Sequence, residues 1–124
     1  MLLPEIVKDA WEKREPAIVL TTVDKAGVAN SIYASCVKMI AEDKIVVADN
    51  YFDKTRANII DGSQGVILFI TDEGKSYQVK GSIEYCKSGE FFDDMKNWLD
   101  AKYPGIAAAV FTVEKVYSGA EQLA

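Results

Sequence analysis

The sequence predicts a mainly β chain, arranged as a small closed or split antiparallel barrel with a few flanking helices. Three observations carry that expectation. Six segments have the short apolar or alternating pattern of strands. Most connections between them are tight, Asp- and Gly-containing turns, which join antiparallel neighbours. Only three segments have helical spacing, and none follows a Gly-rich phosphate loop, so neither a dinucleotide fold nor a nucleotide P-loop is supported. The expected order is α-β-β-β-α-β-β-α-β.

Leu3, Ile6, Val7, Ala10, Trp11 and Arg14 recur at helical spacing, Pro4 suits a first turn and Pro16 ends the pattern. Residues 4–14 are therefore expected as an amphipathic helix over one end of the core. Residues 17–23 read as a continuously apolar strand, turned back at Asp24-Lys25-Ala26-Gly27. Residues 28–40 read as one long second strand. Its polar residues, Asn30, Ser31 and Ser35, gather near its start, which fits either a solvent-facing edge or a ligand wall. Residues 65–71 form the most apolar strand and are expected at the centre. Residues 76–86 alternate, with Tyr77, Val79, Gly81, Ile83 and Tyr85 inward, and Gly81 marks a bulge or a close backbone approach. Ser88 is the expected cap of a helix with an apolar stripe of Phe91, Phe92, Met95, Trp98 and Leu99, and Tyr103-Pro104-Gly105 ends it. Residues 106–116 make the last strand, whose small residues 107–109 let another surface come close.

The stretch most suggestive of chemistry is KIVVADNYFDKTRAN, residues 44–58. It opens as a strand with β-branched residues, breaks at Asp49-Asn50, and continues as a helix with Asp53 in the N-cap position. A helix N-terminus carries unpaired N–H groups, Lys54 adds a charge and Thr55 a hydroxyl, so the segment can seat a phosphate. Tyr51 and Phe52 place aromatic surface beside it, which suits a phosphorylated, flat aromatic ligand. A capped surface helix with merely solvated basic residues has the same pattern.

Composition removes several alternatives. Over 124 residues, one domain's worth, hydrophobic content of 49% supports a core. The chain has no histidine, which excludes a Ser-His-Asp triad and histidine-held zinc or haem. A net charge of −5 without a basic block argues against nucleic acid. No run is long enough to span a bilayer, and the opening residues lack the apolar region of a signal peptide. Cys36 and Cys86 lack metal spacing and read as reduced thiols of a cytoplasmic protein. No metal site is expected.

The patterns TTVDKAGVANSIYAS, KIVVADNYFDKTRANI and VKGSIEY resemble the FMN-binding split barrels, the pyridoxamine 5′-phosphate oxidase-like family, and within it the small FMN-binding proteins of sulfate-reducing bacteria. The resemblance covers almost the whole chain. It implies a six-stranded antiparallel Greek-key split barrel spanning residues 1–124, a homodimer, and one FMN per subunit near the subunit interface. By position, Lys54 and Thr55 of the KTxxN element, which Asn58 completes, would bind the phosphate, helped by Asn30 or Ser31. Val47, Ala48, Asp49 and Asn50 would pass along the flavin ring and offer it backbone groups. Tyr33, Ser35, Tyr51 and Phe52 are candidates around the ring or ribityl chain, and Trp98 and Tyr103 would approach from the partner subunit. The phosphate site of this family is often richer in arginine; here only Arg56 is near, and a helix turns it away from Lys54. True pyridoxamine phosphate oxidases are longer and carry C-terminal basic residues that VYSGAEQLA lacks, so that activity is not carried over.

The expected function is that of an FMN-binding flavoprotein, in electron transfer or as a small flavin-dependent oxidoreductase. A redox partner protein or a nicotinamide donor would supply electrons. The flavin supplies the chemistry, and no side chain is assigned a catalytic role. Two alternatives stand beside it: a non-catalytic module binding FMN or another phosphorylated aromatic ligand, and a structural dimer that has lost its ligand.

Overall fold

The computed structural model describes residues 3–124. The elements in order are α1 (Glu5–Glu12), β1 (Ile18–Val23), β2 (Ala29–Ala34), β3 (Val37–Ala41), β4 (Lys44–Asp49), α2 (Lys54–Ile60), β5 (Gly65–Ile70), β6 (Ser76–Cys86), α3 (Glu90–Trp98), β7 (Ala107–Ser118) and β8 (Glu121–Gln122). All strand pairs are antiparallel, in the order β2-β1-β5-β6-β7-β4-β3, with β8 added to β7. The two ends of that path, β2 and β3, are consecutive in the chain. The curled sheet's two edges are therefore joined through Ser35-Cys36, and the Ala48 amide of β4 donates to the Cys36 carbonyl at 2.9 Å, extending the β3–β4 pairing. The described residues form a split barrel of mainly β class, with three helices on its outside and ends.

The long strand expected over residues 28–40 is thus two strands. Its first half pairs with β1 and its second half with β4, at opposite edges of the sheet. The break also shifts the alternation. Ile32 and Ala34 face the main core before it, Val37 and Met39 after it, while Cys36 and Ile40 face the outside cluster under α3. A one-residue slip of this kind turns every following side chain to the other face.

The barrel interior is filled by Ile18 and Leu20, Ile45 and Val47, Ile67 and Phe69, Val79, and Phe111 and Val113. α1 and the preceding Leu3 close one end, with Val7, Ala10 and Trp11 on the helix, and Trp11 meets Phe69 edge-on at 5.1 Å between ring centroids. Ile6 does not join them; it is 54% exposed, on the far side of the helix. A second cluster lies outside the barrel, where Met95 and the aromatic stripe of α3 pack on Val46, Ala48, Ala108 and Val110. β4 and β7 are apolar on both faces for that reason, and the alanines let the helix come close.

Several boundaries differ from expectation. α3 starts after Gly89, not Ser88, with φ +97° at the glycine and no side-chain cap. It stops at Trp98, and β7 continues to Ser118 and turns back into β8. β5 is buried at Ile67 and Phe69, but Leu68 and Ile70 are each 43% exposed, so only one of its faces is covered. The glycine stop of α2 does occur at Gly62, with φ +93°. No helix among the described residues is long and apolar enough to cross a membrane.

Candidate functional site

β4 ends at Asp49, and the chain then leaves the sheet. Residues 50–53 cross its end and lead into α2. The Asp49 carboxylate accepts the Phe52 amide at 3.0 Å, which folds this segment back on itself. Asp53 occupies the N-cap position of α2, but its side chain makes no capping bond. On the other side of the opening, Asn50 Oδ1 accepts the Gly105 amide at 3.0 Å and the Asp49 carbonyl accepts the Ile106 amide at 2.9 Å. Those two bonds bring the segment after α3 alongside the segment after β4.

Between these segments and β2 lies an open cavity of about 380 Å³, within the usual size range of small-molecule sites. Asn30, Ile32, Tyr33 and Ala34 line it from β2, and Ser35 and Cys36 from the strand break. All of residues 50–55 line it, together with Ala48 and Tyr103. The aromatic content is high: Tyr33, Tyr51, Phe52 and Tyr103, with Tyr33 81% and Tyr51 76% exposed at its rim. Among the described residues, Lys54 is the one cation in the lining. Asn30 Nδ2 donates to Thr55 Oγ1 at 3.0 Å, which ties β2 to the start of α2.

Of the residues expected at a ligand site, the cavity brings together Asn30, Tyr33, Ser35, Ala48, Asn50, Tyr51, Phe52, Lys54, Thr55 and Tyr103. Tyr103 lines the cavity of its own chain. Five others lie outside the lining. Ser31 points to the opposite face of β2, sharing a 2.8 Å hydrogen bond with Thr21. Val47 is 1% exposed, facing the barrel core. Asn58 is buried and donates to Thr22 Oγ1 at 3.0 Å, locking α2 to β1. Trp98 packs beneath α3, its indole N–H buried without a partner among the described residues. Asp49 is wholly buried. Ile32, Ala34, Cys36 and Asp53 line the cavity without having been expected there; Ile32 and Ala34 share the alternation of Asn30, which was the available signal, while Cys36 follows the strand break.

Asp49 does not face the cavity because it is committed behind it. Arg56 donates Nε to Asp49 Oδ2 at 2.8 Å and Nη2 to Oδ1 at 3.1 Å, and the Tyr85 hydroxyl also donates to Oδ2. Burial pushes the Asp49 carboxyl up, but the bonds from Arg56, Tyr85 and the Phe52 amide outweigh it and hold the group below the usual carboxylate range. The bond to Asp49 strengthens the hold of Arg56 on its proton. Burial and the Asp49 carboxylate raise the Tyr85 phenol, which stays a donor. Arg56, the one arginine near Lys54 in the sequence, is therefore committed to a buried carboxylate. Cys86, outside the cavity, is pushed up to about 11 by burial and by Glu84, so it is a thiol.

The curled antiparallel sheet and its edge cavity define a split-barrel protein. The model of the pyridoxamine 5′-phosphate oxidase family matches residues 3–122, and the chain belongs to that family. An FMN-binding protein from Syntrophomonas wolfei has a similar structure, with a TM-score of 0.76 and 26% identity, covering 97% of this chain and 90% of its own. HupZ of Group A Streptococcus shares the fold, with a TM-score of 0.83 at 21% identity over 94% of each chain. An uncharacterized protein of Methanocaldococcus jannaschii is 26% identical over 106 residues, which are 82% of this chain and 71% of that one.

Proposed function

We propose that the chain is an FMN-binding flavoprotein, acting in electron transfer or as a small flavin-dependent oxidoreductase. The observation that carries this reading is the cavity itself. Among the described residues it sets the Lys54 ammonium and the polar side chains of Asn30 and Thr55 beside four aromatic rings. Lys54 has no ion-pair or hydrogen-bond partner among the described residues, so its charge is available to a phosphate. Thr55 and Asn30 are hydrogen-bonded to each other there and keep further donor capacity. Tyr51, Phe52, Tyr33 and Tyr103 offer ring surface for a flat isoalloxazine. The donor set fits FMN: a cation and hydroxyl for its phosphate, aromatic and small residues for its ring. Bound flavin would supply the redox chemistry; the chain would bind, orient and shield it.

The test is titration of the purified protein with FMN, followed by reduction with dithionite and with nicotinamide donors. Saturable quenching of flavin fluorescence and bleaching by at least one reductant are expected. A protein that leaves FMN fluorescence unchanged would remove the reading; one that binds FMN which no reductant bleaches would be a binding module. Pyridoxal phosphate formation is expected to be negligible. That substrate brings a second phosphate, and among the described residues Lys54, which would be committed to the FMN phosphate, is the one cation lining the cavity.

The same reading includes a homodimer. Nine residues alternate outward on β1, β2 and β5, and none is charged: Val19, Thr21 and Val23; Ala29, Ser31 and Tyr33; Val66, Leu68 and Ile70. The register sets Tyr33, Val19 and Leu68 in one row and Ser31, Thr21 and Val66 in the next. An isologous contact brings each residue near a copy of itself or its neighbours, so a charge-free face suits it in an acidic chain. Tyr33 belongs both to this face and to the cavity rim. Sedimentation at micromolar concentration should give twice the chain mass, and Leu68→Glu should give a folded monomer. A monomeric wild type would rule the dimer out.

A further inference from the structure

We infer that Asp49 and Arg56 form a clasp that closes the base of a six-residue cavity strap and so sets the geometry of ligand binding without touching the ligand. The inference rests on the flavoprotein reading of the cavity. Its observations are positional. Every residue between the two partners, 50 through 55, lines the cavity, and neither partner does. The strap leaves the sheet at Asp49, which is fully buried, and ends on the first turn of α2, where Arg56 follows Lys54 and Thr55. A fork of two bonds at 2.8 and 3.1 Å joins the ends. Such two-bond arginine–carboxylate pairs fix orientation as well as distance.

The clasp is itself held from two sides. Tyr85 on β6 donates to Asp49, and Arg56 Nε also reaches the Tyr85 hydroxyl at 3.1 Å, so strap and barrel wall share one network. Inside the strap the Phe52 amide closes on Asp49 Oδ1. Asp49 and Asn50 also hold the backbone at 105–106, next to Tyr103. The Asp49 carboxylate thus closes the strap, while the Asp49 carbonyl and the Asn50 side chain tie the segment after α3 to its start. A loop whose ends are already fixed loses less freedom when it orders around a ligand. Asp49 and Arg56 are positioning residues in that sense.

Arg56→Lys keeps the charge and removes the fork, which separates geometry from long-range attraction for a phosphate. Two measurements are made on wild type, Arg56→Lys, Tyr85→Phe and the double variant Asp49→Asn/Arg56→Gln, at a temperature where circular dichroism shows each folded. The first, without ligand, is amide hydrogen exchange. The Phe52 amide should exchange at least tenfold faster in Arg56→Lys, while barrel amides such as Val47 keep their wild-type protection. The second is FMN affinity, expected to fall about tenfold in Arg56→Lys and by a smaller factor in Tyr85→Phe, with a changed flavin spectrum at saturation. Unchanged exchange at Phe52 overturns the clasp. Faster exchange with wild-type FMN affinity overturns its link to the ligand. If wild type itself binds no FMN, the flavoprotein reading fails, and the exchange measurement still decides whether the clasp orders the strap.

Discussion

Gly81→Ala should destabilise the fold by about 3 kcal/mol or more, a loss of roughly 10 °C in Tm for a chain of this size. Gly81 sits where the pairing of β6 and β7 slips by one residue, between Lys80 and Gly81. A methyl group there would overlap the Thr112 carbonyl oxygen and lie 2.9 Å from the Phe111 ring. Neither neighbour can yield easily. The carbonyl belongs to the backbone of β7, and Phe111 is 1% exposed in the centre of the core. Across the sheet, Gly81 pairs with Gly65, where an added Cβ would meet Ile83 Cδ1 at 2.5 Å. The close passage therefore runs through three strands. Ser82→Ala, an exposed change one residue along, should stay within about 0.5 kcal/mol of wild type and serves as the control. Thermal unfolding followed by circular dichroism reads both. A Gly81→Ala protein that melts with wild type would mean that the bulge relaxes at no cost.

The bulge at Gly81 was legible because a glycine interrupts an otherwise strict alternation, and only a local backbone reason explains it. The aromatic stripe of α3 was legible for a similar reason, since it is a periodicity fixed by burial, and the β-branched run of β4 was legible as a strand but not as one covered on both faces. The break at Ser35-Cys36 was not. Each half of residues 28–40 alternates correctly, and only the pairing of the halves with different strands demands the slip. Pairing is a long-range property that no local pattern carries. Ile6 illustrates a lesser limit, because helical spacing admits a stripe wider than the surface the barrel end has to cover. At the cavity, the turn chemistry of Asp49-Asn50 located the strap, and its neighbours Tyr51, Phe52, Lys54 and Thr55 followed. The side of Asp49 could not be read the same way. Its partners Arg56 and Tyr85 are seven and thirty-six positions away, and a carboxylate in a turn is usually solvated. Within its own chain Trp98 is half-buried at the end of α3, packed on the cluster of β4 and β7 and outside the cavity lining.

Lys54→Ala should weaken FMN binding ten- to a hundredfold while leaving riboflavin binding and thermal stability near wild type. The size follows from the contact type. A charge-assisted hydrogen bond to phosphate contributes about 1.5–3 kcal/mol, and each 1.4 kcal/mol is about tenfold in affinity. Lys54 is exposed and, among the described residues, has no partner whose loss would disturb the fold. It opens α2, where alanine is at least as good a helix former, so the strap and its clasp should keep their places. Among the described residues the lining holds no second cation to compensate; Arg56 is spent on Asp49, and Asp53 adds a negative charge beside Lys54. Raising salt should weaken wild-type binding of FMN and affect the variant less, because the screened attraction is the one removed. Riboflavin, which has the ring and chain but no phosphate, separates a lost phosphate contact from general damage to the cavity. Fluorescence titration of both ligands against both proteins gives the comparison. Equal FMN affinity in the two proteins would take Lys54 out of the site, and an equal loss for both ligands would show that the lysine shapes the cavity instead of meeting the phosphate.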